Sequence, residues 1–530
     1  MSLSLTHRAD IQPGGRMPPR VATLLSGLIV FLAGLWARLY HISGKPFWMD
    51  EITTIQRSSQ PLLGVLLDSL RFHHLPAYFV LTSWVVPFGQ TEALLRWPSA
   101  VFGALACCAV FLVAARLGGR RAGVLAGLLM ALSPLQVQYG QEARSYALVT
   151  CLIGLGLLGL IELARDPAAA ALDLRAPGAR RRAWATYTLA TLAAANVLSV
   201  ALMWWLAANL AALAIARHAG AARRGFLRNW ALAQAMIAGF TVPWFVAMYV
   251  CVHGAMAKGL DWVPPLSAER VWSTVASVYL LRHSSLISGE LFRSTVPYLG
   301  GVVTLLGFCG AFWLARRRAA MAALGLAFVV LPATLLAVSV VQPVWMPRYA
   351  LWSAAPFFVF AGLGVRLLPR RAQWPAVAVV AALALLNLRP YYRVDTKPRW
   401  DLAAAVLRDG MQAGDLVLSN DPWAVRLMNI YLARSGEVLP PERWTTDVQR
   451  ATAHLAAGGR VWAVQGRVGQ VDHETQDQFM ARILPLGLPT LRTQKGLDVI
   501  VMRFDPPPRT PQFSCLRRDG TAPESVCDPG

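Results

Sequence analysis

Apolar runs of roughly 20 residues, the length a helix needs to cross a ~30 Å hydrocarbon core, fill the chain up to about residue 390. They fall near 21–40, 97–115, 122–137, 146–164, 184–199, 200–216, 229–250, 296–315, 320–341, 349–366 and 374–389. This pattern predicts an α-helical polytopic membrane protein with about 11 transmembrane helices. A further apolar segment, Leu75 to Phe88, is short and holds Pro76 and Pro87. It is expected to lie in the outer interface as a helix without spanning, because counting it as a span would invert every later loop.

Around Tyr391 the pattern changes to mixed polar sequence. Arg399 to Arg408 and Asn420 to Tyr431 have helical spacing, the second opened by Asn420-Asp421-Pro422. Asp415–Ser419, Arg460–Gln465 and Asp498–Arg503 have the short apolar runs of buried strands. Residues 391–505 are thus expected to form a small extracytoplasmic α/β domain of about 110 residues. Pro506–Pro508 opens a tail, 506–530, expected to be disordered. The remaining parts are an N-terminal segment, 1–20, and a membrane domain, 21–390, with a long outer loop at 41–96. No internal repeat is apparent.

Composition agrees with the pattern. Of 530 residues 56% are hydrophobic and 15% charged, at a mean hydropathy of +0.45, whereas soluble domains sit nearer 45–50% apolar and about 25% charged. The net charge of +22 comes mostly from Arg, and the Arg clusters fall on alternate loops. They are Arg8/Arg16/Arg20, Arg116/Arg120/Arg121, Arg165 with Arg180–Arg182, Arg217/Arg223/Arg224/Arg228, Arg316–Arg318 and Arg366/Arg370/Arg371. The positive-inside bias makes that side cytoplasmic, with the N-terminus. Loops 41–96, 138–146, 251–295 and 342–348 and the C-terminal domain then face the other side. The charge signals topology and attraction to membrane lipids, and predicts no nucleic-acid partner.

The first apolar run has no small-residue cleavage site after it and is expected to stay as an anchor. Cys107, Cys108, Cys151 and Cys309 lie in predicted spans and Cys251 at an outer end, as small packing residues. Cys515 and Cys527 could pair in an oxidising compartment. No CxxC or His-Cys cluster suggests structural zinc.

Four clusters stand out on the outer side. They are Asp50-Glu51 with Lys45 and Arg57 nearby, His73–Tyr78, Tyr139–Tyr146 with Glu142 and Arg144, and Pro343–Tyr349 with Arg348. Each has a plainer explanation. Lys45, Arg57 and Arg348 are where snorkelling cations would sit. The Tyr and Trp residues match an aromatic belt. His73 and His74 suit interfacial side chains, Glu142 and Arg144 could pair with each other, and two acids could simply be solvated. Together they put carboxylates and guanidinium groups on one face, lined by aromatics. Arg binds phosphate through a planar fork of donors, and a carboxylate can take a proton from an acceptor hydroxyl. That combination suits chemistry on a phosphate-linked sugar whose lipid tail stays in the bilayer.

In order along residues 20–390, these motifs resemble the polyprenyl-phosphate-sugar-dependent glycosyltransferases of the GT-C fold, which include the protein O-mannosyltransferases (glycosyltransferase family 39) and the aminoarabinose transferases. Asp50-Glu51 is similar to the family's acid pair. His74-Leu75-Pro76-Ala77-Tyr78 resembles its His-Pro-Pro-Leu-Tyr element, departing at Leu75 and Ala77. Leu95–Ser99 with Ala115–Ala122, Ser133-Pro134 with Glu142–Leu148, and Pro347-Arg348-Tyr349 complete the series. The resemblance implies an inverting transfer from a lipid monophosphate sugar to an envelope acceptor, a lipid, glycan or protein. It implies Asp50 as base and Glu51 orienting acceptor or sugar. It implies Arg144 and Arg348 on the donor phosphate, with Tyr146 and Tyr349 as hydrogen-bond donors and Lys45, Arg57, His74 and Glu142 as further ligands. Some GT-C enzymes use a divalent metal ion and others do not; Asp50, Glu51 and His74 are the residues that could share one. No other cofactor is implied. The rival expectations are a secondary transporter or lipid flippase, a non-catalytic scaffold, and a GT-C ligase or polymerase with a lipid diphosphate donor.

Overall fold

A computed structural model describes residues 18–252, 263–284, 291–292, 294–466, 475–494, 499–506, 513–516 and 526–529. The chain divides into two units. The membrane unit comprises residues 1–44 and 53–394, and the C-terminal unit residues 45–52 and 395–530.

In the membrane unit, α1 (Pro19–Leu39) is followed by a group of short elements: α2 (Met49–Ser58, whose first turn belongs to the C-terminal unit), α3 (Leu62–Arg71) and α4 (Ala77–Ser83). Then come α5 (Glu92–Gly118), α6 (Arg120–Leu132), α7 (Pro134–Gly140), α8 (Tyr146–Arg165), α9 (Pro167–Ala170), α10 (Arg181–Ala195), α11 (Ala201–His218) and α12 (Arg223–Val252). The bundle continues through α13 (Ala268–Val278), α14 (Leu299–Leu314), α15 (Arg318–Ser339), α16 (Pro347–Ala350), α17 (Ala354–Gly364) and α18 (Gln373–Leu388). All eleven expected segments are helical. Among the described residues, seven helices are long and apolar enough to cross a membrane singly, and an eighth is the pair α6–α7, bent by 62° at Ser133-Pro134. The chain is a multi-pass membrane protein. Its Leu75–Phe88 segment folds as α4 and a 3-10 turn, too short to span.

Helices α5, α8 and α17 form the buried centre of the bundle, while α1, α12 and α18 leave much of their surface uncovered. The Arg clusters meet at one end. Arg121 donates to the Arg370 carbonyl at 3.2 Å and Arg317 to the Leu117 carbonyl at 2.8 Å. Arg116 pairs with Glu162 at 2.7 Å and Arg180 with Asp166 at 3.1 Å. The Arg317 guanidinium thereby satisfies a carbonyl in the last turn of α5, where carbonyls have no intrahelical donor.

The C-terminal unit builds α19 (Trp400–Gly410), β1 (Leu416–Ser419), α20 (Pro422–Leu432), β2 (Trp444–Thr445), α21 (Val448–Ala456), β3 (Val461–Gly466), α22 (Gln476–Arg482), β4 (Leu491–Gln494) and β5 (Val499–Phe504). The sheet order is β2-β1-β3-β5-β4, parallel across β2, β1 and β3 and antiparallel from β3 through β5 to β4. β1 and β3 are buried on both faces, which explains their unbroken apolar sequence. One face packs Leu418, Ala463, Ile500 and Met502 against Leu455 of α21, Phe479 of α22 and Ile483 just after it. In the tail, β6 (Phe513–Leu516) and β7 (Val526–Pro529) form an antiparallel ladder that sets Cys515 opposite Cys527. Regular structure thus occupies part of a segment expected to be disordered; the two cysteine side chains lie outside the described residues.

Asp415 ties this sheet together. Its carboxylate accepts from Arg460 Nε and Nη2 at 3.0 and 2.7 Å, from Trp462 Nε1 at 2.8 Å and from the Gln412 amide at 2.9 Å. Burial raises its pKa, but these donors outweigh burial and leave it below the ordinary carboxylate value. A depressed folded pKa stabilises the fold above the unfolded value of about 3.9 and loses that contribution as pH falls through the folded value. Asp415→Asn is therefore expected to destabilise this unit by roughly 1–3 kcal/mol at neutral pH, with a smaller difference from wild type in acid. Faster amide exchange across residues 460–466 of the full-length chain at pH 7 would register it; unchanged exchange would show the cluster to be dispensable.

Candidate active site

The acid pair opens α2, and its two members are held differently. Within the C-terminal unit, the segment Lys45–Ile52 is seated on residues 395–434. Phe47 and Trp48 are buried, and the Phe47 amide donates to Tyr431 Oη at 2.6 Å. Arg434 lies over the Tyr431 ring at 4.6 Å and the Phe47 ring at 6.0 Å. Lys45 Nζ donates to Thr396 Oγ1 at 2.9 Å. Glu51 is 0% exposed and accepts from Lys397 Nζ at 2.9 Å, an ion pair whose lysine is also buried. That ammonium stands 5.9 Å from the Trp48 ring. Asp50, one residue earlier, is only half-buried.

In the membrane unit the remaining motifs converge through hydrogen bonds. Ser99 Oγ donates to the Arg144 carbonyl at 3.1 Å. With its only proton committed there, Ser99 accepts from Tyr78 Oη at 2.8 Å. Arg144 Nη1 reaches Thr54 Oγ1 at 3.4 Å. The span-start motif at 95–99, the His74–Tyr78 element and the Glu142–Leu148 motif therefore share one polar cluster. Arg57 adjoins it, donating to Asp68 at 3.1 Å under the Phe79 ring at 4.6 Å. Burial lowers the Arg57 pKa from its ordinary value, Asp68 opposes this, and the nearby Arg144 charge lowers it further. Two guanidinium groups close enough to repel one another make a region suited to an anion.

His73 has a structural task. With φ at 56° it is the left-handed residue ending α3; its amide bonds the Leu70 carbonyl and that of His74 bonds Ser69, the paired bonds of a Schellman cap. His74 is thereby turned so that Nδ1 lies 2.7 Å from the Phe72 carbonyl and its ring 5.9 Å from Phe79. Glu142 is fully buried, and Tyr146 packs against Tyr139 at 5.0 Å between ring centres. Arg348 is buried on α16, beside its neighbour Tyr349 at 5.5 Å. α16 is fixed by Gln136 of α7, which donates to the Leu351 carbonyl at 2.9 Å, and by Trp345, which donates to the Arg270 carbonyl at 3.2 Å. The helix before Glu142 and the turn after Arg348 are thus directly joined.

Arg38 was not among the sequence candidates, although an Arg inside an apolar span is itself a signal. It is 0% exposed and donates through Nη1 to the carbonyls of Gly34 at 2.9 Å and Ala131 at 3.4 Å. The second bond caps α6 where the α6–α7 pair breaks, and so supports the turn into the Glu142 motif. Gly103 and Gly140 leave the space: a Cβ at Gly140 would stand 2.7 Å from Arg38 Cδ, and one at Gly103 would collide with Nε. Gln141 continues the same joint, donating to the Arg38 and Tyr40 carbonyls at 3.0 and 2.7 Å and accepting from Tyr391 at 2.9 Å. Lys397 was also missed. The chain has four lysines, Lys45, Lys258, Lys397 and Lys495, and the first and third both bind around the acid-pair segment. Among the described residues no group of three or more His, Cys, Asp or Glu gathers as a metal site.

No family model matches the sequence, and no curated protein matches it. Solved structures do. ArnT from Cupriavidus metallidurans in the apo state is 14% identical, with 91% of this chain and 97% of that chain covered at a TM-score of 0.53. The same protein bound to undecaprenyl phosphate is 15% identical over the same shares, at 0.51. The chain has the GT-C fold. An oligosaccharyltransferase from Archaeoglobus fulgidus in the apo form is 14% identical, covering 84% of this chain and 69% of that one at 0.47. The likeness to ArnT takes in 91% of the chain and so extends into the C-terminal α/β unit.

Proposed function

We propose that this protein is a membrane glycosyltransferase that moves a sugar, with inversion, from a polyprenyl-phosphate donor to a lipid, glycan or protein acceptor. The orientation that goes with this is a bacterial inner membrane with the N-terminus cytoplasmic and the chemistry on the periplasmic face. The observation that carries it is the divided state of the acid pair on a GT-C fold. Asp50 is half-buried and reachable, while Glu51 is locked to Lys397. ArnT, whose likeness covers 91% of the chain, has been crystallised with undecaprenyl phosphate, which supports a lipid monophosphate donor.

In this reading the acceptor O–H gives its proton to Asp50, and the oxygen forms a bond to the anomeric carbon. The bond from that carbon to the donor phosphate breaks, and its electron pair leaves on the phosphate. A phosphate is a competent leaving group, so the need is to stabilise developing charge, the role of Arg144 and Arg348. Arg57 adds positive potential. Tyr146 and Tyr349 are assigned to donor hydrogen bonds. Lys45, engaged by Thr396, and His74, beside the Phe72 carbonyl, are assigned to supporting the loops that carry the site.

The test is release of free polyprenyl phosphate by purified full-length protein in nanodiscs. It uses a panel of radiolabelled polyprenyl-phosphate sugars and an envelope extract as acceptor, with and without chelator or added Mg²⁺ and Mn²⁺. Donor-dependent release with label moving to the extract is the expected result. Transbilayer movement of donor with no release would overturn the reading in favour of a flippase.

A further inference from the structure

At the Arg-rich end of the membrane unit, a cavity of about 590 Å³ opens where α5, α8 and α11 end and α14 turns into α15. Arg165, His218 and Arg316–Arg318 line it, with Leu117, Ala164 and Ala320 among its apolar wall. No carboxylate is in the lining. The neighbouring acids are already taken, Glu162 by Arg116 at 2.7 Å, Arg165 at 3.2 Å and Arg180 at 3.8 Å, and Asp166 by Arg180 at 3.1 Å.

Helix C-termini attract cations, and that accounts for Arg317, which donates to the Leu117 carbonyl at 2.8 Å and lies 4.9 Å from the Trp313 ring. It does not account for Arg316 or Arg318, which have no hydrogen-bond or ion-pair partner among the described residues. Four guanidinium groups around one basin repel each other unless an anion sits among them. The basin lies at the ends of bundle helices, among them α5 and α8, which are long and apolar enough to cross a membrane, and it combines cations with an apolar wall.

We propose that this cavity binds the phosphate headgroup of an anionic phospholipid of the adjacent leaflet, at the opposite end of the bundle from the outer motifs and independently of the glycosyl transfer proposed above. Basic pockets between transmembrane helices recognise lipid phosphate in this way, and each Arg near the surface adds several-fold to affinity.

The experiment is native mass spectrometry of the full-length protein in detergent, titrated with phosphatidylglycerol or with phosphatidylcholine of the same chains. Wild type is expected to prefer phosphatidylglycerol, and the double variant Arg316→Gln/Arg318→Gln to bind it about 30-fold more weakly. Arg223→Gln/Arg224→Gln, on α12 outside the cavity, should leave the preference intact. Both variants should elute as wild type on gel filtration; Arg316→Lys/Arg318→Lys, which keeps the charge, should retain binding and separates loss of the site from misfolding. Equal binding of the two lipids, or an equal loss in both Gln variants, would overturn the proposal. Displacement of phosphatidylglycerol by millimolar inorganic phosphate, with phosphate retained in its place, would assign the site to a soluble anion and overturn the lipid.

Discussion

Asp50→Asn is expected to lower glycosyl transfer by about 10²–10⁴-fold, the usual contribution of a general base, while leaving donor affinity close to wild type. The amide keeps the size and hydrogen-bonding reach of the side chain but cannot accept the acceptor's proton. Because Asp50 is half-buried in the first turn of α2, and the burial of this segment rests on Phe47, Trp48 and Glu51, the substitution should not disturb folding. The measurement is single-turnover release of polyprenyl phosphate, beside equilibrium binding of the same donor. Equal turnover in wild type and variant would remove Asp50 from the reaction and turn the search to Glu142. A parallel fall in binding and turnover would instead make Asp50 a ligand of the donor.

The second large effect concerns the ion pair beneath it. Lys397→Met removes the ammonium from buried Glu51, and breaking such a pair from one side costs about 3–5 kcal/mol. The buried carboxylate would either take up a proton or leave its place, and in both cases the segment bearing Asp50 loses its fixed position. Turnover should fall by at least about tenfold, since small displacements of a reacting group cost that much or more. The double variant Lys397→Met/Glu51→Gln separates the causes. A neutral pair of similar volume should recover most of the lost stability. If activity returns with stability, the pair serves only to position the loop. If stability returns without activity, the Glu51 charge itself acts on the reacting sugar. Thermal unfolding of the full-length protein and turnover at saturating donor give the two readouts.

Much of the membrane unit was legible because its physics is one-dimensional. A helix that crosses a bilayer must be apolar along its whole length, and Arg must fall on one side, so spans and loops can be marked residue by residue. The strands around Leu416–Ser419 and Val461–Gly466 were legible for a related reason, being buried on both faces. The two-residue strand β2 carries no pattern of its own; it exists because β1 offers it an edge, and the same is true of β4 beside β5. The acid pair could be found as a motif, yet nothing near residue 51 hints at a partner 346 positions away. Arg38 was readable as an anomaly in an apolar run but not as the cap of α6, since that role depends on a break at Ser133-Pro134 and on two glycines from other helices. Short-range chemistry leaves marks in sequence; agreements between distant segments leave marks only when one of them is chemically odd.

The seat of Lys45–Ile52 also bears on how the protein is made. Thr396, Lys397, Tyr431 and Arg434, which hold that segment, are synthesised long after it, when the rest of the bundle has already been translated. A nascent or truncated chain ending at Val394 would carry Asp50 and Glu51 on a strip with neither its lysine nor its tyrosine anchor. The order of synthesis therefore makes the C-terminal unit the last part needed to set the acid pair in place.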